Sequence, residues 1–312
     1  ILIHLSGYTH GGRCEILPSR PAPIAVNYLG FPGTLGMDSV DYIIGDPIVL
    51  GASVIGQVRE APVLLPDCYQ PNRRLGHPPA IANPAAERAA HGLPETGVVL
   101  ACFCTVQKIS EPVFARWMAV LRRVPDAVLW LLDHPRTDPG PRFREAAARH
   151  GVAPERIVIA PWLSSDAHQA RLALADIALD TAPYGAHTTG SDMLWSGVPM
   201  VALLGESFAA RVSASLMRAV GLSELVATDL DQYEAMIVAL AQDRARLALL
   251  RRGLIEAREA SPLFDAARLT RHLETAYELM WQTHCAGEAP RGFSVVPPQG
   301  SGRGSEWPNW AR

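Results

Sequence analysis

Asp180-Thr-Ala-Pro-Tyr-Gly-Ala-His187-Thr188-Thr189-Gly190-Ser-Asp192-Met-Leu-Trp195-Ser-Gly-Val-Pro-Met200-Val201 reads as the end of a strand, a tight loop, the start of a helix and the next strand. The segment places a histidine, two hydroxyls and a glycine where a helix leaves its first backbone N–H groups unpaired. Those donors, with the positive end of the helix dipole, form a cradle suited to an anion, a phosphate above all. A simpler role fits the same residues: Thr188 or Thr189 capping the helix with its hydroxyl. What the rest of the chain brings to this loop decides between the two.

Working upstream, the pattern predicts strand 98–103, helix 112–123, strand 128–132, helix 141–150, strand 157–160, helix 166–175 and strand 177–179. Strict alternation of this kind implies right-handed crossovers and a parallel sheet, with ligands held outside the carboxyl ends of the strands. Lys108 and His187 each follow such a strand, so both are expected in one crevice. Farther upstream, apolar runs at 1–4, 24–29, 40–44 and 62–65 read as strands of another α/β lobe, and a Pro-rich stretch from Pro71 to Pro94 reads as the junction. Downstream, 206–220, 232–253 and 266–285 have helical apolar spacing, and the Pro- and Gly-rich segment after Pro290 reads as a linker or disordered end.

The chain has 312 residues, a formal net charge of −3 and 48% apolar residues. That length allows two lobes with a cleft between them. The near-neutral charge gives no support to a nucleic-acid partner, and no apolar run approaches the ~20 residues of a membrane span. Five cysteines, odd in number and without C-x-x-C spacing, fit reduced thiols in a cytoplasm rather than disulfides or a structural zinc site. A core-type strand at the first residue, with no initiator Met, reads as a piece of a longer chain.

Neither G-x-G-x-x-G after a strand nor G-x-x-x-x-G-K-[ST] occurs, so other phosphate geometries are the ones to consider. Lys108, in a chain whose cations are otherwise arginine, precedes a helix and can meet a phosphate as a point charge, or stand as a solvated loop lysine. Leu29-Gly30-Phe31-Pro32-Gly33-Thr34-Leu-Gly36 repeats glycine every third residue directly after a strand, as close backbone approach to a ligand, or a plain tight turn, requires. His168 and Arg171 share a helix face. Asp229-Leu-Asp231 resembles a manganese-binding D-x-D, but its place before a helical run fits an N-cap.

Taken together, Ser6-Gly-Tyr-Thr9, Arg20-Pro-Ala-Pro23, Leu29-Gly-Phe-Pro-Gly-Thr34, Asp41-Tyr-Ile-Ile44, Val128-Leu-Trp-Leu-Leu132, His187-Thr-Thr-Gly190, Pro199-Met-Val201 and Ser261-Pro-Leu-Phe264 resemble the catalytic region of the O-linked N-acetylglucosamine transferase family, glycosyltransferase family 41. The likeness covers nearly all of residues 1–290. It implies an α/β, GT-B glycosyltransferase with two Rossmann-like lobes facing a cleft: an incomplete amino-terminal lobe at 1–90, a nucleotide-sugar lobe at 95–265, a closing helix at 266–289 and a disordered tail at 290–312.

The resemblance further implies an inverting transfer of N-acetylglucosamine from UDP-N-acetylglucosamine to Ser or Thr hydroxyls of proteins. No metal or cofactor is implied, and tetratricopeptide repeats are expected upstream. Carried over by position, Lys108 and His187 are the catalytic candidates. Lys108, His187, Thr188 and Thr189 resemble the residues around the donor diphosphate, and Asp192 the one that holds the ribose. His168 and Arg171 resemble those facing the uracil, with the Leu163 backbone beside the base. Gly30, Pro32, Gly33 and Thr34 resemble the loop over the donor sugar. Three departures stand out: Val106-Gln107 before the lysine, Tyr184 where a cysteine is common, and Ser165 where animal members carry a lysine. The family's candidate bases fall largely upstream of Ile1, leaving Tyr8 and His10 in the same lobe. Two alternatives remain: a GDP-fucose protein O-fucosyltransferase of Spindly type, and a non-catalytic nucleotide-sugar-binding scaffold.

Overall fold

The computed structural model describes residues 1–72, 76–78, 81–133 and 138–296. Its first part contains β1 (Leu2–His4), β2 (Ala25–Asn27), β3 (Tyr42–Gly45), the one-turn helix α1 (Ala52–Ile55) and β4 (Ala61–Leu64). Helix α2 (Pro84–Ala90) leads into β5 (Val99–Cys102), α3 (Glu111–Arg123), β6 (Val128–Leu132), α4 (Gly140–Arg149), β7 (Ile157–Ala160), α5 (Ser165–Arg171) and β8 (Ile177–Leu179). Then follow α6 (Thr188–Trp195), β9 (Met200–Leu203), α7 (Val212–Ala219), β10 (Val226–Ala227), α8 (Leu230–Gln242), α9 (Arg244–Ala257), α10 (Ala266–Cys285) and β11 (Phe293–Ser294).

The strands form two parallel sheets, ordered β1-β2-β3-β4-β11 and β10-β9-β8-β5-β6-β7. Central strands such as β5 are buried along their whole length, as a sheet covered by helices on both faces demands. Helix α3 shows why the covering works: Val113, Phe114, Trp117, Met118, Val120 and Leu121 form its buried stripe, Pro112 opens its first turn, and Arg122 and Arg123 sit at its negative end. One connected apolar core runs through both sheets.

The second sheet has its topological switch between β5 and β8. From β5 the chain winds through β6 to the β7 edge, then returns to β8 on the other side of β5 and continues to β9 and β10. The loops after β5 and β8 therefore leave in opposite directions, and a crevice opens between them at the carboxyl edge. Lys108 and His187 lie in those two loops, tied by a parallel bridge between Ile109 and Ala182.

The two sheets are fastened by polar contacts. Ser215 Oγ on α7 donates to Asp46 Oδ2 at 2.6 Å, and Asp46, fully buried after β3, also accepts from Ile48 N, Val49 N and Tyr69 N. Arg211 Nε donates to Ile48 O at 2.6 Å, and Arg268 at the start of α10 forms an ion pair with Asp67 at 2.6 Å.

Three expectations need correction. The helical run 232–253 is two helices, because Asp243 accepts from Arg246 N and starts a new one. Helix α2, placed with the amino-terminal lobe at 1–90, instead packs on the second: Arg88 forms an ion pair with Asp176 at 2.8 Å and donates to Leu174 O. The segment from Pro290 is not all tail, since Phe293 and Ser294 pair with Val63 and Leu64 and extend the first sheet, with Val295 buried behind them. Residues 297–312 lie outside the described residues.

Candidate active site

Asp180, directly after β8, fixes the shape of the loop. Its Oδ1 accepts from Thr181 N at 2.9 Å and Ala186 N at 2.7 Å; its Oδ2 accepts from Leu203 N at 3.0 Å and from the Ser213 hydroxyl. Burial alone pushes such a carboxyl up, and these four donors oppose that. Thr181 Oγ1 donates to Tyr184 O at 2.7 Å, and Gly185 N to Ala209 O at 3.1 Å. His187 occupies the N-cap position of α6, and its side chain makes no capping hydrogen bond. Thr188 and Thr189 are helical residues rather than caps, so the capping alternative falls, and the first turn of α6 begins with backbone N–H groups that have no partner within the helix. Gly190 fits because a Cβ there would crowd Leu216 and Met200 at 3.1–3.3 Å.

Lys108 converges on this loop from the other side of the switch. Its Nζ donates to Gly185 O at 3.0 Å and lies 4.0 Å from the centre of the Tyr184 ring. His187 stacks on the same ring, with centroids 4.7 Å apart. Tyr184, seen in the sequence only as a departure from the family pattern, thus brackets both candidates, through a cation–π contact on one hand and ring stacking on the other. Burial lowers the Lys108 pKa, opposed by Cys104, Asp180 and Cys102. An ammonium carries three N–H donors, so one bond to Gly185 leaves two for an anion.

The two histidines of the site are neutral and share one tautomer, with the hydrogen on Nε2. His187 Nε2 lies 3.0 Å from Ala209 O, a carbonyl that can only accept, so Nε2 carries the hydrogen and Nδ1 is an acceptor. His168 Nδ1 lies 2.9 Å from Arg171 Nη2, a group that can only donate, so His168 keeps its hydrogen on Nε2. Burial pulls His187 down to about 4, with Lys108 adding to the effect and the Ala209 bond opposing it; burial and then Arg171 pull His168 to about 4. Arg171, itself lowered to about 10 by burial, donates to Pro161 O at 2.7 Å and lies over the rings of Phe103 and Trp130. Leu163 sits half-buried in the same loop between β7 and α5.

These depressed pKa values set a pH dependence with a definite sign. The folded chain binds fewer protons than the unfolded one between pH 4 and 6.5, so stability is full above about pH 6.5 and is lost as pH falls towards 4. The contribution of His187 is up to about 3 kcal/mol by that linkage. Melting temperatures at pH 7.5 and 5 are expected to fall less in His187→Gln than in the wild type; equal falls would show that His187 titrates normally.

The glycine loop follows β2. Gly30 N donates to Leu5 O at 2.9 Å, and a Cβ at Gly30 would sit 2.2 Å from that same oxygen, so only glycine fits. Leu29 before it has φ of 81°, a strained conformation for a branched side chain and one that no sequence signal indicated. Pro32 and Gly33 are half-buried, while the Thr34 hydroxyl turns inward to Glu60. Asp192 is half-buried on α6, one turn beyond Thr188 and Thr189. Tyr8 donates to Leu35 O at 2.7 Å and packs edge-on against Phe31, and His10 is exposed. Asp229 is an N-cap, accepting from Gln232 N at 2.8 Å, and Asp231 pairs with Arg116, as the N-cap reading of the D-x-D expects. Among the described residues no three metal-ligating side chains gather, and no helix is long and apolar enough to cross a membrane.

Residues 1–70 and 77–273 match the family model of glycosyl transferase family 41. The chain belongs to that family. It is 40% identical over 303 residues to the Arabidopsis thaliana protein SEC, named a probable UDP-N-acetylglucosamine–peptide N-acetylglucosaminyltransferase, covering 95% of this chain and 30% of the relative. The SPINDLY protein of Petunia hybrida, which carries the same enzyme name, is 34% identical over 296 residues, 93% of this chain and 31% of its own. The family 41 chain therefore spans about a third of these relatives. A mutant O-GlcNAc transferase of Thermobaculum terrenum superposes with a TM-score of 0.84 at 31% identity, over 92% of this chain and 54% of that one. The GT-B architecture of facing parallel-sheet lobes is shared with it. A sucrose-phosphate synthase of Thermosynechococcus elongatus, with a TM-score of 0.57 at 14% identity over 83% of this chain and 68% of its own, shares the fold alone.

Proposed function

We propose that this family 41 chain is the catalytic part of a protein O-GlcNAc transferase, moving N-acetylglucosamine from UDP-N-acetylglucosamine to Ser or Thr hydroxyls with inversion and without a metal. The observation that carries the reading is the convergence of the Lys108 ammonium and the uncapped start of α6 at the switch point of the second sheet. As an acceptor hydroxyl attacks the anomeric carbon, the bond to the diphosphate breaks and negative charge grows on the departing oxygen. Donors already fixed there stabilise that charge in the transition state.

Lys108 supplies charge, the α6 N–H groups and the hydroxyls of Thr188 and Thr189 supply hydrogen bonds, and neutral His187 offers Nδ1 as an acceptor. The diphosphate draws its charged donor from Lys108 rather than from His187. His168, Arg171 and Leu163 would take the uracil, Asp192 the ribose, and the Gly30–Thr34 loop the sugar. Upstream tetratricopeptide repeats and a cytoplasmic setting complete the proposal, on the strength of the family resemblance.

Incubation of the full-length protein with UDP-N-acetylglucosamine and a Ser/Thr peptide is expected to leave one N-acetylhexosamine on a peptide hydroxyl, read by mass spectrometry. A melting-temperature comparison separates donors: UDP is expected to stabilise the native state by mass action and GDP is not. Stabilisation by GDP alone would favour a fucosyl donor, and no transfer from any UDP-sugar would remove the enzyme reading.

A further inference from the structure

Glu60, just before β4, is 2% exposed, and Asn27, the last residue of β2, is 1% exposed. A buried carboxylate is costly unless its oxygens are hydrogen-bonded. Among the described residues its partners are neutral and belong to the strand and loop around Gly30–Thr34. Oε2 accepts from the Thr34 hydroxyl at 2.5 Å, and Oε1 accepts from Leu35 N at 2.6 Å and from the Asn27 amide at 3.3 Å. The same amide donates to Gly33 O at 2.8 Å. Thr34 Oγ1 in turn accepts from Gly36 N at 2.9 Å and Arg59 N at 3.3 Å, which fills the bonding capacity of the hydroxyl. At the other end the loop is fixed by Gly30 N on Leu5 O and by the strained Leu29. Phe31, Pro32 and Gly33 lie between these two anchors.

We infer that Glu60, assisted by Asn27, is a positioning residue that holds the Gly30–Thr34 loop in the shape required to receive the donor sugar. The inference rests on the function proposed above. It moves Thr34 from the residues that touch the donor to those that act through the loop. Charge suits Glu60 to this place because both oxygens must accept at once. A glutamine would turn an N–H₂ donor towards either Leu35 N or Thr34, whose hydroxyl oxygen already accepts twice.

The test measures UDP affinity by calorimetry, KM and kcat for UDP-N-acetylglucosamine at saturating peptide, and melting temperature, all in the full-length protein. Glu60→Gln is expected to lower kcat/KM for the donor at least tenfold, through KM, while UDP affinity stays within twofold of wild type. A defect confined to the sugar-bearing ligand is what general destabilisation would not produce. Thr34→Val removes the same bond with less disturbance of the core and is expected to act in the same direction; it carries the test should Glu60→Gln fail to fold. The double variant is expected to be less severe than the sum of the single ones, because the two share the Glu60–Thr34 bond. Donor KM unchanged in both variants, or UDP affinity lost in parallel with donor KM, would overturn the inference alone. A wild type that neither binds UDP nor turns over the sugar would overturn the proposed function, and this inference with it.

Discussion

Replacing Lys108 with methionine is expected to lower kcat/KM by about 10²–10³, the equivalent of roughly 2.7–4 kcal/mol of transition-state stabilisation for one preorganised donor. Methionine keeps an unbranched side chain, one atom shorter, and removes the charge and its N–H groups. Those groups sit against Gly185 O and the Tyr184 ring, in the loop that starts α6. Stability should move the other way. Burial depresses the Lys108 pKa, so the ammonium is unfavourable in the free fold, and Lys108→Met is expected to melt at the wild-type temperature or above it. Loss of activity with retained stability is the signature of a charge held for function. The pH profile adds a check: kcat/KM should fall on the alkaline side below the ordinary lysine range, because the free enzyme loses the charge as pH rises through the lowered pKa. A kcat/KM within threefold of wild type would show that Lys108 is a loop lysine without a role in transfer.

Asp180→Ala is expected to cost roughly 3 kcal/mol or more, from four donors losing their acceptor in a buried place. Thr181 N, Ala186 N, Leu203 N and the Ser213 hydroxyl all point at this one carboxylate. Urea unfolding should show a lower midpoint with an unchanged slope. Because Thr181 and Ala186 bracket the loop that leads into α6, UDP affinity should fall as well. Ser213→Ala provides the graded comparison, since it removes one donor and leaves the carboxylate its three backbone partners; its expected cost is about 1 kcal/mol. An Asp180→Ala variant as stable as Ser213→Ala would mean that water replaces the carboxylate and that the loop does not depend on it.

The alternating part of the chain was legible because its strands are continuous apolar runs separated by helices of ordinary length. Once Lys108 and His187 were placed after two such strands, their meeting followed from the geometry of parallel sheets. Asp180 was visible as the first residue of the motif, yet its role was not, because Leu203 and Ser213 lie 23 and 33 positions away in the chain. Glu60 was invisible for the same reason: a lone carboxylate in Val58-Arg-Glu-Ala61 has no spacing pattern, and Thr34 is 26 positions back. Tyr184 registered only as a departure, since no rule of periodicity says that one ring will contact a lysine and a histidine together. The break at Asp243 was hidden because α8 and α9 continue a similar apolar rhythm across it. Strand β11 was missed because two residues between Gly292 and Pro297 carry no strand signature, and only the open edge of β4 gives them partners.

Lys108 is the only lysine among the 312 residues, which makes the central claim directly measurable. An amine-directed reagent has a single side-chain target in this part of the protein, and its extent of reaction can be read by peptide mapping. If the crevice between β5 and β8 holds the diphosphate of a UDP-sugar, then UDP and UDP-N-acetylglucosamine should protect Lys108 in a saturable manner, and free N-acetylglucosamine should not. Equal labelling of Lys108 with and without UDP-N-acetylglucosamine, at concentrations that saturate turnover, would contradict the account.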